Sequence, residues 1–348
     1  MSEALIVTAA RRVDGVGSLA AVENALYRLR EQGIPVTELE IMPLSHGWNT
    51  PLPANGFRSG CGPILALERA MRMLSSRQAD AVLIRGDEPL RSAYALNKPQ
   101  RGQLMAIYGP DCPIPEAYTQ LARAYLEHRG LDPVTFKQLA EQLWQNYRRT
   151  ARDNGLPVDP PPERYHYLTE LFRAVDCANP VVDFQGRLLL VGSALADGFS
   201  NAVRVLGIGV DQTQGDGPDY VREIARFEHL ARAYRLACRQ ARQEFHTAFL
   251  AGEALLDVYT CYPVIPLAFL LECGFVAGPD ALADLLERYP VTVTGGMNLA
   301  RAPWNNPALN ALIVMVEKLQ GAGPALGAVH GNGGLGYLQG VAVLERLC

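Results

Sequence analysis

Residues 255–275, LLDVYTCYPVIPLAFLLECGF, limit the folds open to this chain more than any other stretch. The opening, 255–258, is short and apolar, which predicts a buried strand. Tyr259, Thr260, Cys261 and Tyr262 then place polar, reactive side chains where that strand ends. Pro263 and Pro266 fit the start of a helix, where a missing N–H costs little. The apolar run 264–271 predicts that this helix packs on a sheet, and Gly274 suits its C-terminal end. Strand, chemical turn and helix is the layout of an active-site turn in an open α/β fold, where ligands collect beyond the carboxyl ends of strands. An ordinary buried βα unit, in which the tyrosines and the cysteine only pack, satisfies the same pattern.

Similar βα signals stand on both sides of a different region. Strands are predicted at 5–8, 81–84, 187–191, 203–210 and 341–344. Helices are predicted at 18–32, with Ser18 as N-cap and Gly33 as the stop, and at 63–75, 219–250, 279–289 and 306–319. Asn305 and Asn306 read as a helix cap. Residues 34–55, with His46, Trp48 and Asn49, read as irregular, and Gly86, Asp87 and Glu88 as a turn. Between 89 and 170 aromatics and charge rise, and the amphipathic helices 114–129 and 133–154 lead to a proline-dense loop at 157–162. That region reads as a mainly helical excursion from a duplicated α/β core with helices between two sheets. The closing glycine-rich stretch 327–336, GAVHGNGGLG, reads as a loop running into the last strand.

Composition excludes several function classes. The 348 residues are 49% hydrophobic and 20% charged, enough for a large core. A net charge of -4 offers no bulk attraction to nucleic acid or to an anionic membrane. No stretch reaches the roughly 18 to 20 apolar residues of a membrane span, and the first dozen residues do not read as a signal peptide. Cysteines at 61, 112, 177, 238, 261, 273 and 348 are odd in number and lack metal-ligand spacing, so reduced thiols in a cytoplasmic protein are expected. Neither a GxxxxGK phosphate loop nor a dinucleotide fingerprint opening a βαβ unit is present.

The ordered pieces resemble the thiolase superfamily, most of all its sterol-carrier-protein and archaeal-type branches. Residues 60–88 resemble the nucleophile helix and the strand after it; 176–196, DCANPVVDFQGRLLLVGSALA, resembles the end of the N-terminal half. DVYTCYP at 257–263 is similar to the HDCF-type motif, TGGMNLARAP at 294–303 to the SGGxxxxGHP motif, and HGNGGLG at 330–336 to the final glycine-rich motif. The resemblance implies a five-layered αβαβα core from two duplicated halves, 1–88 with 171–198 and 199–348, with 89–170 as an inserted helical loop domain. It also implies a homodimer, or a heteromer with an OB-fold-type partner subunit. A coenzyme A thioester would be the substrate, as in lipid metabolism, with no other cofactor and no metal.

The chemistry departs from the family. Thiolases use a cysteine at a helix N-terminus, where the macrodipole and nearby histidines depress its pKa. Here the nucleophile position falls on Gly60, one before Cys61; Cys61 serves only if the turn absorbs one residue. The HDCF-type histidine is replaced by Tyr259, Cys261 remains, the histidine of GHP is replaced by Ala302, and His330 stands where a final Cys is usual. Tyr259 and His330 are the candidate acid–base groups, Tyr259 on condition that its pKa is lowered. Each is equally a packing or loop-capping residue by sequence alone. The resemblance implies that Gly60, Gly295, Gly296, Gly333 and Gly334 lie at the thioester pocket, and glycine is compatible with close backbone approach there. Three readings follow. The chain is an enzyme acting on an acyl-CoA C–C bond without a covalent cysteine intermediate, similar to thiolase-like steroid side-chain aldolases. It is a non-catalytic subunit that binds acyl-CoA or a partner enzyme. Or it is an acyltransferase using Cys61.

Overall fold

The computed structural model describes residues 3–199 and 201–347; Cys348 lies outside them. The described residues form ten strands: β1 Ala4–Val13, β2 Val16–Gly17, β3 Val36–Ile41, β4 Gly56–Phe57, β5 Ala81–Pro89, β6 Asp183–Gly192, β7 Val203–Gln212, β8 Ala254–Asp257, β9 Leu326–Gly333 and β10 Leu338–Arg346. The N-terminal half runs β4-β3-β5-β6-β1 and the C-terminal half β8-β9-β10-β7. Both halves obey one rule. A pair toward the outer end of each half is parallel (β3 with β5, β8 with β9), and the next two pairings inward are antiparallel. The first strands of the halves, β1 and β7, meet at Leu5↔Arg204 and Ile6↔Val203, so the two expected sheets form one hydrogen-bonded ladder.

Side-chain alternation sorts the layers. Leu5, Val7, Leu83, Leu189 and Val191 pack under helix Ala20–Glu31 through Val22, Ala25 and Leu29. The alternate residues Ala4, Ile6, Val82, Ile84, Leu188 and Leu190 share a core with Val205, Val329, Ala342 and Leu344 of the other half. Helices Gly62–Ser75 and Pro307–Leu319 fill that core, so they form the middle layer. Leu256, Ala328, Val341 and Val343 face the opposite way, onto helices Glu228–Ala241 and Val264–Glu272. The order helix, sheet, helices, sheet, helices gives five layers. Residues between β5 and β6 carry helices Ile114–Arg129 and Pro133–Asp153, whose apolar faces join the C-terminal outer core.

Several local expectations change. β3, VTELEI, occupies part of the stretch expected to be irregular, because parallel pairing with β5 supplies its backbone partners. The turn expected at Gly86–Glu88 is the end of β5, where buried Glu88 accepts the Leu44 N–H at 2.6 Å. The helix expected over 219–250 breaks at Phe227 and Arg242, both in left-handed conformation. Helix Ala20–Glu31 has Leu19, not Ser18, at its N-cap, and Asn306 occupies an N-cap position without a capping side-chain bond. GAVHGNG is mostly strand β9 rather than loop. Glycine is required there by close packing: a Cβ at Gly331 would stand 2.9 Å from Ile64 Cγ1.

Gly207 and Gly209 on β7 seat helix Glu228–Ala241 directly on the sheet. A Cβ at Gly209 would overlap the Ala233 carbonyl oxygen and lie 2.7 Å from Ala237 N. Gly209→Ala is expected to lose about 1–3 kcal/mol by overpacking, read as a lower midpoint in urea unfolding with unchanged slope. An unaltered midpoint would show that the helix is free to lift.

Candidate active site

β8 ends at Asp257, and the chain turns through 258–263 before helix Val264–Glu272, all of whose residues up to Leu271 are buried. Asp257 fixes this turn to its neighbour: one carboxylate oxygen accepts the Val293 and Thr294 N–H groups, both at 2.9 Å. Burial pushes the Asp257 carboxyl up to about 6, against those hydrogen bonds. Thr260 Oγ1 accepts the Met297 N–H at 2.8 Å, and the Cys261 carbonyl accepts the Ala178 N–H at 2.8 Å.

The turn opens on a cavity of about 430 Å³. Tyr259, Cys261 and Tyr262 line it from the turn, and Gly60 from the start of helix Gly62–Ser75. Asn332 and Gly334 enter from the glycine-rich segment, and Ala302, Trp304 and Asn305 from the 294–306 loop. The helical excursion closes it with Tyr108, Ile114 and Tyr118, among others. Tyr118 stacks on Tyr262 with centroids 4.0 Å apart.

Gly60 is glycine for a specific reason. A Cβ there would overlap the Tyr259 phenol oxygen, and the Asn332 carbonyl oxygen would stand 2.5 Å away. The Tyr259 hydroxyl therefore occupies the space that a side chain at position 60 would fill. Among the described residues that hydroxyl has no hydrogen-bond partner. Burial, with Cys261 and Cys61 nearby, holds its pKa well above the usual phenol value. This reverses the condition set from sequence: Tyr259 is a neutral phenol, a proton donor rather than a ready base.

The other candidates divide. Cys261 lines the cavity and donates its S–H to Tyr118 Oη at 3.3 Å; burial raises its thiol to about 12. Cys61 does not reach the cavity. It is fully buried, a Cβ at Gly340 would lie 2.7 Å from its Sγ, and burial, aided by Glu68, holds its thiol far above the usual value. His330 also stands off the cavity, behind Tyr259. Its Nδ1 accepts the Tyr259 backbone N–H at 3.3 Å and its Nε2 donates to Gln339 Oε1 at 2.6 Å. Burial lowers its pKa to about 4, so it is a neutral, doubly bonded ring.

Of the glycines, Gly60 and Gly334 line the cavity, and the other three do not. Gly295 and Gly296 pack against Ala151 and Tyr147 of helix Pro133–Asp153, and Gly333 against Ser59 Oγ. Sequence reasoning missed Tyr118, Asn332 and Gln339. Asn332 was visible as the polar residue within HGNGG, but nothing in the helix pattern distinguishes Tyr118. Asn305, read as a cap, instead accepts the Ser59 N–H and donates to the Met42 carbonyl at 2.8 Å, holding the turn before Gly60. Among the described residues no group of three or more His, Cys, Asp or Glu side chains could hold a metal ion. No helix among them is long and apolar enough to cross a membrane.

The sequence matches no family model and no curated protein. Solved structures do match. A monomeric SCP2-thiolase-like protein type 1 from Mycobacterium smegmatis aligns with a TM-score of 0.70 at 16% identity, over 99% of this chain and 77% of that one. The Ltp2-ChsH2(DUF35) aldolase aligns with a TM-score of 0.67 at 13% identity, over 99% and 98%. The chain has a thiolase-like fold, and its structural neighbours include an SCP2-thiolase-like protein and an aldolase.

His330 makes stability depend on pH. Above its usual pKa, about 6.5, neither folded nor unfolded chain protonates it, and its contribution is complete. Between there and about 4 the unfolded chain alone takes the proton, so stability falls as pH drops. The loss levels off at about 3 kcal/mol, since each tenfold change in proton affinity is worth about 1.4 kcal/mol. Urea midpoints followed from pH 7 to 4 should decline less in His330→Gln than in the parent; equal declines would contradict the burial argument.

Proposed function

We propose that this protein is an enzyme acting on a C–C bond of a coenzyme A thioester by aldol chemistry, without an acyl-enzyme intermediate. The observation that carries this reading is the exchange at Gly60: the Tyr259 phenol stands where a nucleophile at that position would be. Cys61, the remaining thiol near the helix start, is turned into the core.

In an aldol cleavage the β-hydroxyl of the substrate passes its proton to a water in the cavity as the Cα–Cβ bond breaks, and that water returns the proton to the Tyr259 phenolate once the enolate has been protonated. A carbonyl product leaves, and the thioester enolate takes a proton at carbon. Tyr259 is the cavity group suited to that last step, because a buried neutral phenol gives up its proton when a stronger base forms beside it. The same O–H can hydrogen-bond a developing enolate oxygen before transfer, a contribution of about 100- to 1000-fold in comparable sites. The wall is mostly apolar and includes Met105, Ile107 and Pro110, which suits a hydrophobic acyl group.

The aldolase among the structural neighbours is named for two components. That supports a heteromer here, in which a partner subunit completes the site. The thiolase-like neighbour is described as monomeric, so a homodimer has less support.

With the partner present, Tyr259→Phe is expected to lose about 100-fold or more in kcat while the fold and acyl-CoA binding are retained. Cys61→Ala should change kcat less than threefold. Mass spectrometry of the intact protein after incubation with acyl-CoA should show no acyl adduct. An adduct on Cys61, with Cys61→Ala inactive, would restore an acyltransferase. Retained binding with no turnover in any variant would make the chain a binding subunit.

A further inference from the structure

The polar side chains behind the cavity form one chain. Gln339 lies fully buried on β10, directly across from Asn332 on β9. Its Oε1 accepts from His330 Nε2 at 2.6 Å, while its Nε2 donates to Asn332 Oδ1 at 2.6 Å and to the Gly336 carbonyl at 2.8 Å. Asn332 Nδ2 then donates to Tyr118 Oη at 3.3 Å and the Gly334 carbonyl at 3.4 Å. Tyr118 donates to that carbonyl at 2.8 Å and accepts the Cys261 S–H.

Matching donors to acceptors leaves one arrangement. Were the Gln339 amide reversed, its oxygen would face the Asn332 oxygen and the Gly336 carbonyl, three acceptors without a proton. With its oxygen toward His330, the ring must carry its proton on Nε2, and the Nδ1 lone pair is left for the Tyr259 N–H. With Asn332 Oδ1 engaged, its N–H₂ must point to Tyr118. Among the described residues, only Gln339 bonds both the histidine behind Tyr259 and the amide lining the cavity.

We infer that Gln339 is a positioning residue of the active site. It holds His330 in the Nε2–H tautomer, and so the backbone of Tyr259, and it aims Asn332 and through it Tyr118 and Cys261 at the substrate. A glutamate would accept from His330 equally well but could not donate to Asn332, so the amide is needed for its two-sided chemistry. The titratable groups that share the small cavity beside His330 are Asp257 at the end of β8, Tyr259 and Arg301, and His229 and the Phe269 ring also lie near it. None of them offers its ring nitrogens an alternative bond among the described residues.

The inference rests on the reading of Tyr259 as proton donor, but its test does not depend on turnover alone. Histidine ¹⁵N spectra of the parent should show His330, assigned through His330→Gln, as a neutral Nε2–H ring that titrates near pH 4. In Gln339→Glu that titration should move up by more than one pH unit. In Gln339→Met the single tautomer should be lost, and the Tyr259 phenol carbon signal, assigned through Tyr259→Phe, should shift while that of exposed Tyr27 stays. With the partner present, kcat should fall by about 100-fold in Gln339→Met with KM within threefold, the scale of a small misplacement of a reacting group. A parent His330 that is protonated at pH 7 or carries its proton on Nδ1 overturns the inference without any variant. So do unmoved His330 and Tyr259 signals in Gln339→Met. If the signals behave as expected while Tyr259→Phe remains fully active, the positioning chain stands and the aldol reading fails.

Discussion

The close seating of helix Gly62–Ser75 on the C-terminal half-sheet governs the rest of the molecule. Side chains pointing out of a sheet normally hold a packed helix off its backbone. Here glycines on two neighbouring strands remove that spacer. Cβ atoms at Gly331 and Gly340 would press on Ile64, on the Cys61 backbone and on the Cys61 sulfur at 2.7–3.1 Å. The contact draws a helix from one half onto strands of the other and makes a single middle layer. It also decides which residue at the helix start meets the cavity. Cys61 is drawn inward, and the residue before it, which has no side chain, forms the wall.

The electrostatics follow from dryness. Tyr259, Cys261 and His330 are each buried, and each is shifted toward its neutral form, the phenol and thiol upward and the imidazole downward. Such a site does not begin with a strong base or an anionic nucleophile of its own. It begins with protons in fixed places, held by directional bonds whose polarity is set by amides rather than charges. That suits a reaction in which a proton is handed to a carbanion-like intermediate, and it suits thiolate chemistry poorly.

Much of this was legible in the sequence. The strand–turn–helix at 255–275 and helix Gly62–Ser75 were readable because hydrophobic period and proline placement speak locally. Gly60 stood out in the sequence, but not the reason for a glycine there, since the overlap with Tyr259 joins positions far apart in the chain. His330 misled for a similar reason. A histidine among glycines looks free, and only the register of β9 against β10 shows Gln339 across from its neighbour. The helix expected over 219–250 failed at Phe227 and Arg242, whose left-handed backbones leave no compositional mark.

The overlap between position 60 and the Tyr259 phenol has a historical consequence. The two groups compete for one volume, so a cysteine at 60 and a tyrosine at 259 are alternatives and not additions. A lineage passing between them cannot change either residue alone without crowding the site or leaving it hollow. Descendants of one state should therefore rarely revert, because the first backward step is harmful whichever residue takes it. A family tree of such chains would show the two positions switching as a pair, and chemistries separated by that switch would stay separated.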